Sequence, residues 1–186
     1  MKIGIFGGTF DPFTLAHYEI VNESLKLVDK LIIIPTTISY YRNGKSPLFS
    51  FKQRTEIINC FVKRFWGDGR VSCSELEKDA DSFWRTADTV RELKKLYPND
   101  ELYFILGSDS FDELDTWKEY EFLVANLKFI VVDGRNGEKT KNPLPHETIE
   151  IRESGTSASI VRRNLVEKLK SDYIERGICS FYERPS

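Results

Sequence analysis

The stretch KIGIFGGTFDPFTLAH, residues 2–17, decides how the chain is read. Lys2–Phe6 is a short apolar run that stops at Gly7-Gly8, the signature of a buried strand ending in a turn. From about Leu15 the period changes. Tyr18, Val21, Leu25 and Val28 recur at helical spacing. Two glycines after a strand let the backbone approach a ligand closely, and their amides can face phosphate oxygens. The stretch is neither G-x-G-x-x-G nor the G-K-[ST] of a P-loop. Thr14 is a candidate N-cap, which puts His17 in the first helical turn, at the positive end of the helix. A histidine packed beneath the loop is the alternative reading.

The same alternation continues along the chain. Lys30–Ile34 reads as a second buried strand, stopped by Pro35. Ile58, Phe61, Val62 and Phe65 mark a helix, ended by Gly67-Asp68-Gly69. Val71–Leu76 reads as a strand, and Val90, Leu93, Leu96 and Tyr97 as a helix before Pro98. Leu102–Leu106 is a further strand, followed by a short helix in Tyr120–Ala125, a strand at Lys128–Val132 and a short one at Thr148–Ile151. A final helix carries Ile160, Val161, Leu165 and Leu169. The expectation is an α/β fold. It is a single Rossmann-like, doubly wound parallel sheet with helices on both faces and a small C-terminal helical part. Residues 1–186 are read as one domain, of a size that can bury a real core. Ligands in such sheets bind beyond the carboxyl ends of the strands, where strand order reverses.

Composition narrows the function classes. The formal charge of -2 argues against binding nucleic acid by bulk electrostatics. Cys60, Cys73 and Cys179 are odd in number and widely spaced, so they form no readable zinc or disulfide framework. No metal ligand set is read. The N-terminus carries no signal pattern and no run approaches a membrane span, so a cytoplasmic protein without membrane contact is expected. The aromatic content hints at a homo-oligomer.

Three other loops carry chemistry. GSDSFDELDTW, residues 107–117, ends a strand at Gly107 and then presents Asp109, which can hold ribose hydroxyls or orient a hydrated metal ion. Asp112 and Asp115 read as a solvated acidic face, and Trp117 as either core or a flat platform for a ring. SGTSASIVRR, residues 154–163, leads small hydroxyl residues into a helix with Arg162 and Arg163 in its early turns. Free amides, hydroxyls and a guanidinium there would grip polyphosphate, and a capped helix with solvated arginines is the alternative. Lys45 lies in the irregular, polar stretch after the second strand.

Together these loops carry a resemblance. GGTFDPFTLAH and SASIVR are similar to the two signatures of the nucleotidyltransferase superfamily. Gly107, Ser108, Asp109 and Trp117, the stretch WRTADTV (residues 84–90) and the tail YIERGICSFY resemble the bacterial nicotinate mononucleotide adenylyltransferase family. The likeness spans nearly the whole chain. Thr14 stands where that family usually has a histidine, Ala16 where it has glycine, and Arg85 where it has tyrosine. PTTISYYRNGK also departs from the usual loop. The resemblance implies adenylyl transfer from ATP to a pyridine mononucleotide, with Mg²⁺ sharing the phosphate charge. It implies that His17 contacts the α-phosphate and that Thr14 replaces an imidazole by a hydroxyl donor. Ser157, Ser159 and Arg162 would hold the β- and γ-phosphates, and Lys45 would clamp. Gly8, Thr9 and Phe10, with Gly107 and Asp109, would seat the nucleosides, and Trp117 would stack on the pyridine beside Thr86. Alternatives are a phosphopantetheine adenylyltransferase, suggested by Thr14, a cytidylyltransferase, and a non-catalytic nucleotide-binding module.

Overall fold

The apolar runs become the strands of one sheet. A computed structural model describes residues 1–37, 47–80, 84–133 and 139–151. Its strands are β1 (Lys2–Gly8), β2 (Lys30–Pro35), β3 (Val71–Cys73), β4 (Glu101–Gly107), β5 (Lys128–Val132) and β6 (Glu147–Ile149). They pair in parallel in the order β3-β2-β1-β4-β5-β6. The helices are α1 (Leu15–Ser24), α2 (Phe51–Phe65), α3 (Thr86–Leu96), α4 (Ser108–Asp112) and α5 (Tyr120–Asn126). From β1 the chain first builds outward through β2 and β3. It then returns to lay β4 on the other side of β1. The connections after β1 and β4 therefore diverge and leave a crevice at the carboxyl ends of these two strands.

Both faces of the sheet are covered, which is why the strands are apolar without alternation. Leu31, Ile33, Tyr103 and Ile105 face one core with Val21 of α1 and Ile57, Ile58 and Phe61 of α2. Ile32, Ile34, Phe104 and Leu106 face a second core with Val90 and Leu93 of α3 and Leu123 of α5. Three details differ from the sequence expectation. β1 runs through both glycines, because Gly7 pairs with Ile34 and Gly8 with Pro35. β3 stops at Cys73, not Leu76, because its ladder to β2 ends at the Ile33–Cys73 pair. Residues 107–117 hold α4 and a 3₁₀ turn at Leu114–Thr116, not a bare loop. The expected C-terminal helix lies outside the described residues.

Two buried charges fix the loops at the crevice. Arg54, in the first turn of α2, is 1% exposed. Its Nη1 donates to the carbonyls of Thr9 (2.6 Å) and Thr36 (2.9 Å), and its Nε to that of Phe49 (3.2 Å). Asp11 is 2% exposed. Its carboxylate accepts from the amides of Leu48 and Phe49, both at 2.8 Å. Ser50 then opens α2 with a capping box shared with Gln53. The loops after β1 and β2 are thus tied to the start of α2 through main-chain groups that strand pairing does not use.

Replacing Arg54 by Met keeps the apolar stem and strands these carbonyls in a dry interior. Arg54→Met is expected to lower the urea unfolding free energy by about 3 kcal/mol. An unchanged midpoint would mean that the guanidinium braces nothing.

Candidate active site

The crevice is a cavity of about 280 Å³ at the carboxyl ends of β1, β2 and β4. Of the residues singled out in the sequence, it brings together Gly8, Thr86, Gly107 and Trp117. The glycines matter for different reasons. A Cβ on Gly8 would come within 3.1 Å of the Phe10 ring, whereas one on Gly107 would meet no protein atom within 4 Å. The space beside Gly107 is thus open, and Gly8 lets Phe10 fold under the loop. Phe10 does so at φ 48°, in the left-handed region that non-glycine residues seldom occupy. Trp117 is half-buried and meets Phe104 edge-on, with ring centroids 6.0 Å apart and planes at 89°. It is therefore a cavity wall supported by one core ring, and not a residue sealed in the core.

His17 is not part of the cavity lining. It packs 5.2 Å from both the Phe10 and Phe13 rings and 6.0 Å from Phe6, which itself lines the cavity. Thr14 occupies the N-cap position of α1, as the sequence suggested. Its backbone amide donates to His17 Nδ1 at 2.9 Å, and its hydroxyl is 3.0 Å from the same nitrogen. Because Nδ1 accepts from an amide, the ring proton resides on Nε2. Thr14 is fully buried. Its hydroxyl thus lies against the imidazole, at the start of the helix that carries both residues.

Sequence reasoning missed the opposite wall. Glu77 and Thr89 line the cavity with Thr86 and Trp117. Thr89 is 3% exposed, accepts from the indole N–H of Trp84 at 2.8 Å and donates to Glu77 Oε1 at 2.5 Å. Burial pushes the Glu77 carboxyl above its ordinary range, and the Thr89 hydrogen bond partly opposes this. Nothing in the sequence separates Glu77 from the neighbouring acids Glu75 and Asp79. Arg54 did leave a signal. It falls three and four residues before Ile57 and Ile58, on the apolar face of α2, where a solvated arginine would be out of place.

Asp109 is exposed in the first turn of α4 and is not part of the cavity lining. Asp112 is more than a solvated acid. It takes hydrogen bonds from the Thr140 hydroxyl and from the amides of Lys141 (2.8 Å) and Asn142 (3.0 Å). These contacts, led by Thr140, hold its carboxyl below the usual range. Thr9 and Phe10 belong to the loop that Arg54 pins, outside the cavity lining. Lys45, Ser157, Ser159 and Arg162 lie outside the described residues. Among the described residues no group of three or more His, Cys, Asp or Glu side chains could cage a metal ion. No described helix is long and apolar enough to cross a membrane.

Comparison with known proteins places this geometry in context. The cytidylyltransferase-like family matches residues 5–164. A nicotinate-nucleotide adenylyltransferase of Bacillus subtilis is 32% identical over 175 residues, covering 93% of this chain and 90% of its own. Solved structures of the Plasmodium falciparum nicotinic acid mononucleotide adenylyltransferase are also similar. The one complexed with NaAD superposes with a TM-score of 0.73 at 25% identity, covering 94% of this chain and 89% of that one. The one complexed with APC, at 24% identity and a TM-score of 0.71, covers the same shares and shows the shared fold.

The raised Glu77 carboxyl has a stability consequence of definite sign. Below about pH 4.5, its ordinary value, the group is protonated in folded and unfolded chains alike, and burial costs nothing. As pH rises the unfolded chain ionises first, so the folded state loses stability until the buried carboxyl ionises too. Glu77→Gln removes this loss and keeps an oxygen for Thr89. Its unfolding free energy relative to the parent protein is expected to rise between pH 4.5 and pH 7 in chemical denaturation. The same difference at both pH values would show that burial does not penalise the charge.

Proposed function

The chain belongs to the cytidylyltransferase-like family and to the nicotinate-nucleotide adenylyltransferases, and from that premise we propose that it transfers the adenylyl group of ATP to nicotinate mononucleotide. The products are deamido-NAD and pyrophosphate. The observation that carries the reading is the cavity at the point where strand order reverses, walled by Trp117 and Thr86, with His17 packed against Phe6 of its lining. A ring stacked on an indole, with a phosphate reaching past Gly8 toward the start of α1, suits a pyridine mononucleotide.

The chemistry explains the residue types. The nucleophile is the 5′-phosphate of the mononucleotide, already largely ionised near neutral pH because its second pKa is about 6. No general base is needed. The phosphate oxygen bonds to the α-phosphorus of ATP as the bond to the pyrophosphate oxygen breaks, and the electron pair leaves with pyrophosphate. The barrier lies in bringing polyanions together and stabilising the charge that develops on the leaving group. Fixed donors lower it because their orientation is set before the reaction.

His17 is assigned as such a donor through Nε2–H, with Thr14 holding Nδ1. Thr14 is assigned to the same end of the site as a hydroxyl donor, on its sequence resemblance. Gly8 and Gly107 leave room for the nucleotides to lie against the ends of β1 and β4. Asp109 is assigned to a ribose. Ser157, Ser159, Arg162 and Lys45 are assigned to the β- and γ-phosphates on their sequence resemblance. ATP is taken as its Mg²⁺ complex, with the ion held chiefly by the triphosphate oxygens.

Pyrophosphate release from ATP, measured in parallel with nicotinate mononucleotide, nicotinamide mononucleotide and phosphopantetheine, tests the proposal. Release is expected with nicotinate mononucleotide foremost, and no release with any acceptor would leave only a nucleotide-binding module. His17→Ala is expected to lower kcat by about 10²–10³-fold, roughly 3–4 kcal/mol. Near-normal turnover would remove His17 from the mechanism. Trp117→Ala should raise KM for the pyridine nucleotide and leave KM for ATP near its parent value. Equal weakening of both would make Trp117 a purely structural residue.

A further inference from the structure

We propose that Glu77 is a positioning residue for the acceptor nucleotide, holding the first turns of α3, and with them Thr86, against the cavity through its hydrogen bond to Thr89. The inference rests on the adenylyl-transfer reading for the identity of the acceptor. Its geometric basis is a directional chain. The Trp84 indole can only donate, and it donates to Thr89 Oγ1. The Thr89 proton is then committed to Glu77 Oε1. Thr89 is one turn beyond Thr86 on the same helix, so the two side chains share a face, and both line the cavity.

Glu77 is itself held from the other side. The Thr37 hydroxyl, just past the end of β2, shares its one proton between the carbonyls of Glu77 and of Lys78, the latter at 3.0 Å. The amide of Ala80 closes the turn on the Glu77 carbonyl at 3.2 Å. The residue therefore links three parts of the wall: the end of β2, the turn at 75–80, and α3. Its main chain is tied to β2 and its carboxylate to α3. Glu77 makes no other described hydrogen bond or ion pair, so the bond to Thr89 is its side chain's contribution to the wall. An exposed carboxylate used only for solubility would be neither half-buried nor anchored in this way. A carboxylate kept only for stability would not be placed on a cavity wall where burial opposes its charge.

The test separates an acceptor role from a general structural one. Glu77→Leu removes the acceptor and leaves the Thr89 proton unmatched. Thr89→Val removes the hydroxyl. Glu77→Gln and Thr89→Ser preserve the respective hydrogen-bonding atoms. Each Leu or Val variant is expected to raise KM for nicotinate mononucleotide about tenfold, the usual effect of stranding one buried polar group, with KM for ATP within about twofold. Gln and Ser are expected to stay within about twofold for both substrates. If Glu77→Leu does not fold, as judged by its thermal melt, the Thr89→Val and Thr89→Ser pair reads the same link. Equal shifts in both KM values, no shift at all, or Gln as damaging as Leu would each overturn the proposal. Calorimetric binding of nicotinate mononucleotide without ATP keeps the two readings apart. A parent protein that binds it more tightly than Glu77→Leu but makes no dinucleotide would sink the adenylyl-transfer reading and retain the positioning role. A parent protein that makes dinucleotide while Glu77→Leu binds the mononucleotide equally well would sink the positioning role alone.

Discussion

The arrangement of the crevice depends on one guanidinium. A parallel sheet satisfies its own interior peptide groups, but the chain leaving each strand at the carboxyl end has no ladder to join. Arg54 collects three such carbonyls, from Thr9 after β1, Thr36 after β2 and Phe49 before α2. Asp11 takes the amide of the same Phe49 whose carbonyl Arg54 holds. The main chain of one residue is thereby held by a carboxylate at its amide and by a guanidinium at its carbonyl. Burying either charge is costly, and hydrogen bonds to main-chain groups in fixed positions help offset the cost. The loop after β1 is accordingly defined by side chains reaching it from α2 and from its own buried aspartate.

The strand plan was legible because burial on both faces leaves little choice of residue. The runs at Lys2–Phe6, Lys30–Ile34, Leu102–Leu106 and Lys128–Val132 needed no partner to be recognised. Their ends were less legible. β1 absorbs Gly7 and Gly8 because β2 offers pairing partners that far, and the sequence of β1 alone cannot report what its neighbour offers. In the site, Gly8, Gly107, Thr86 and Trp117 were found through motifs, and the structure brings these four to one cavity. Glu77 was not found. Its carboxylate is bonded by Thr89, twelve residues on, and its carbonyl by Thr37, forty residues back. An isolated acid in a run of acids carries no mark of such contacts.

Thr14 shows a related limit. The motif places a hydroxyl where an imidazole usually stands, which invites reading it as a weaker copy of the same donor. The structure buries that hydroxyl beneath His17 and turns it toward the ring.

The contacts around the crevice differ in range but meet at one point. His17 is held by a residue three positions away, within the first turn of its own helix. The wall at Glu77 is assembled from contacts that cross twelve and forty residues. Thr37, which holds the Glu77 carbonyl, directly follows Thr36, whose carbonyl shares Arg54 with that of Thr9. A displacement of the turn at 75–80 therefore reaches the loop after β1 by one covalent step and one guanidinium.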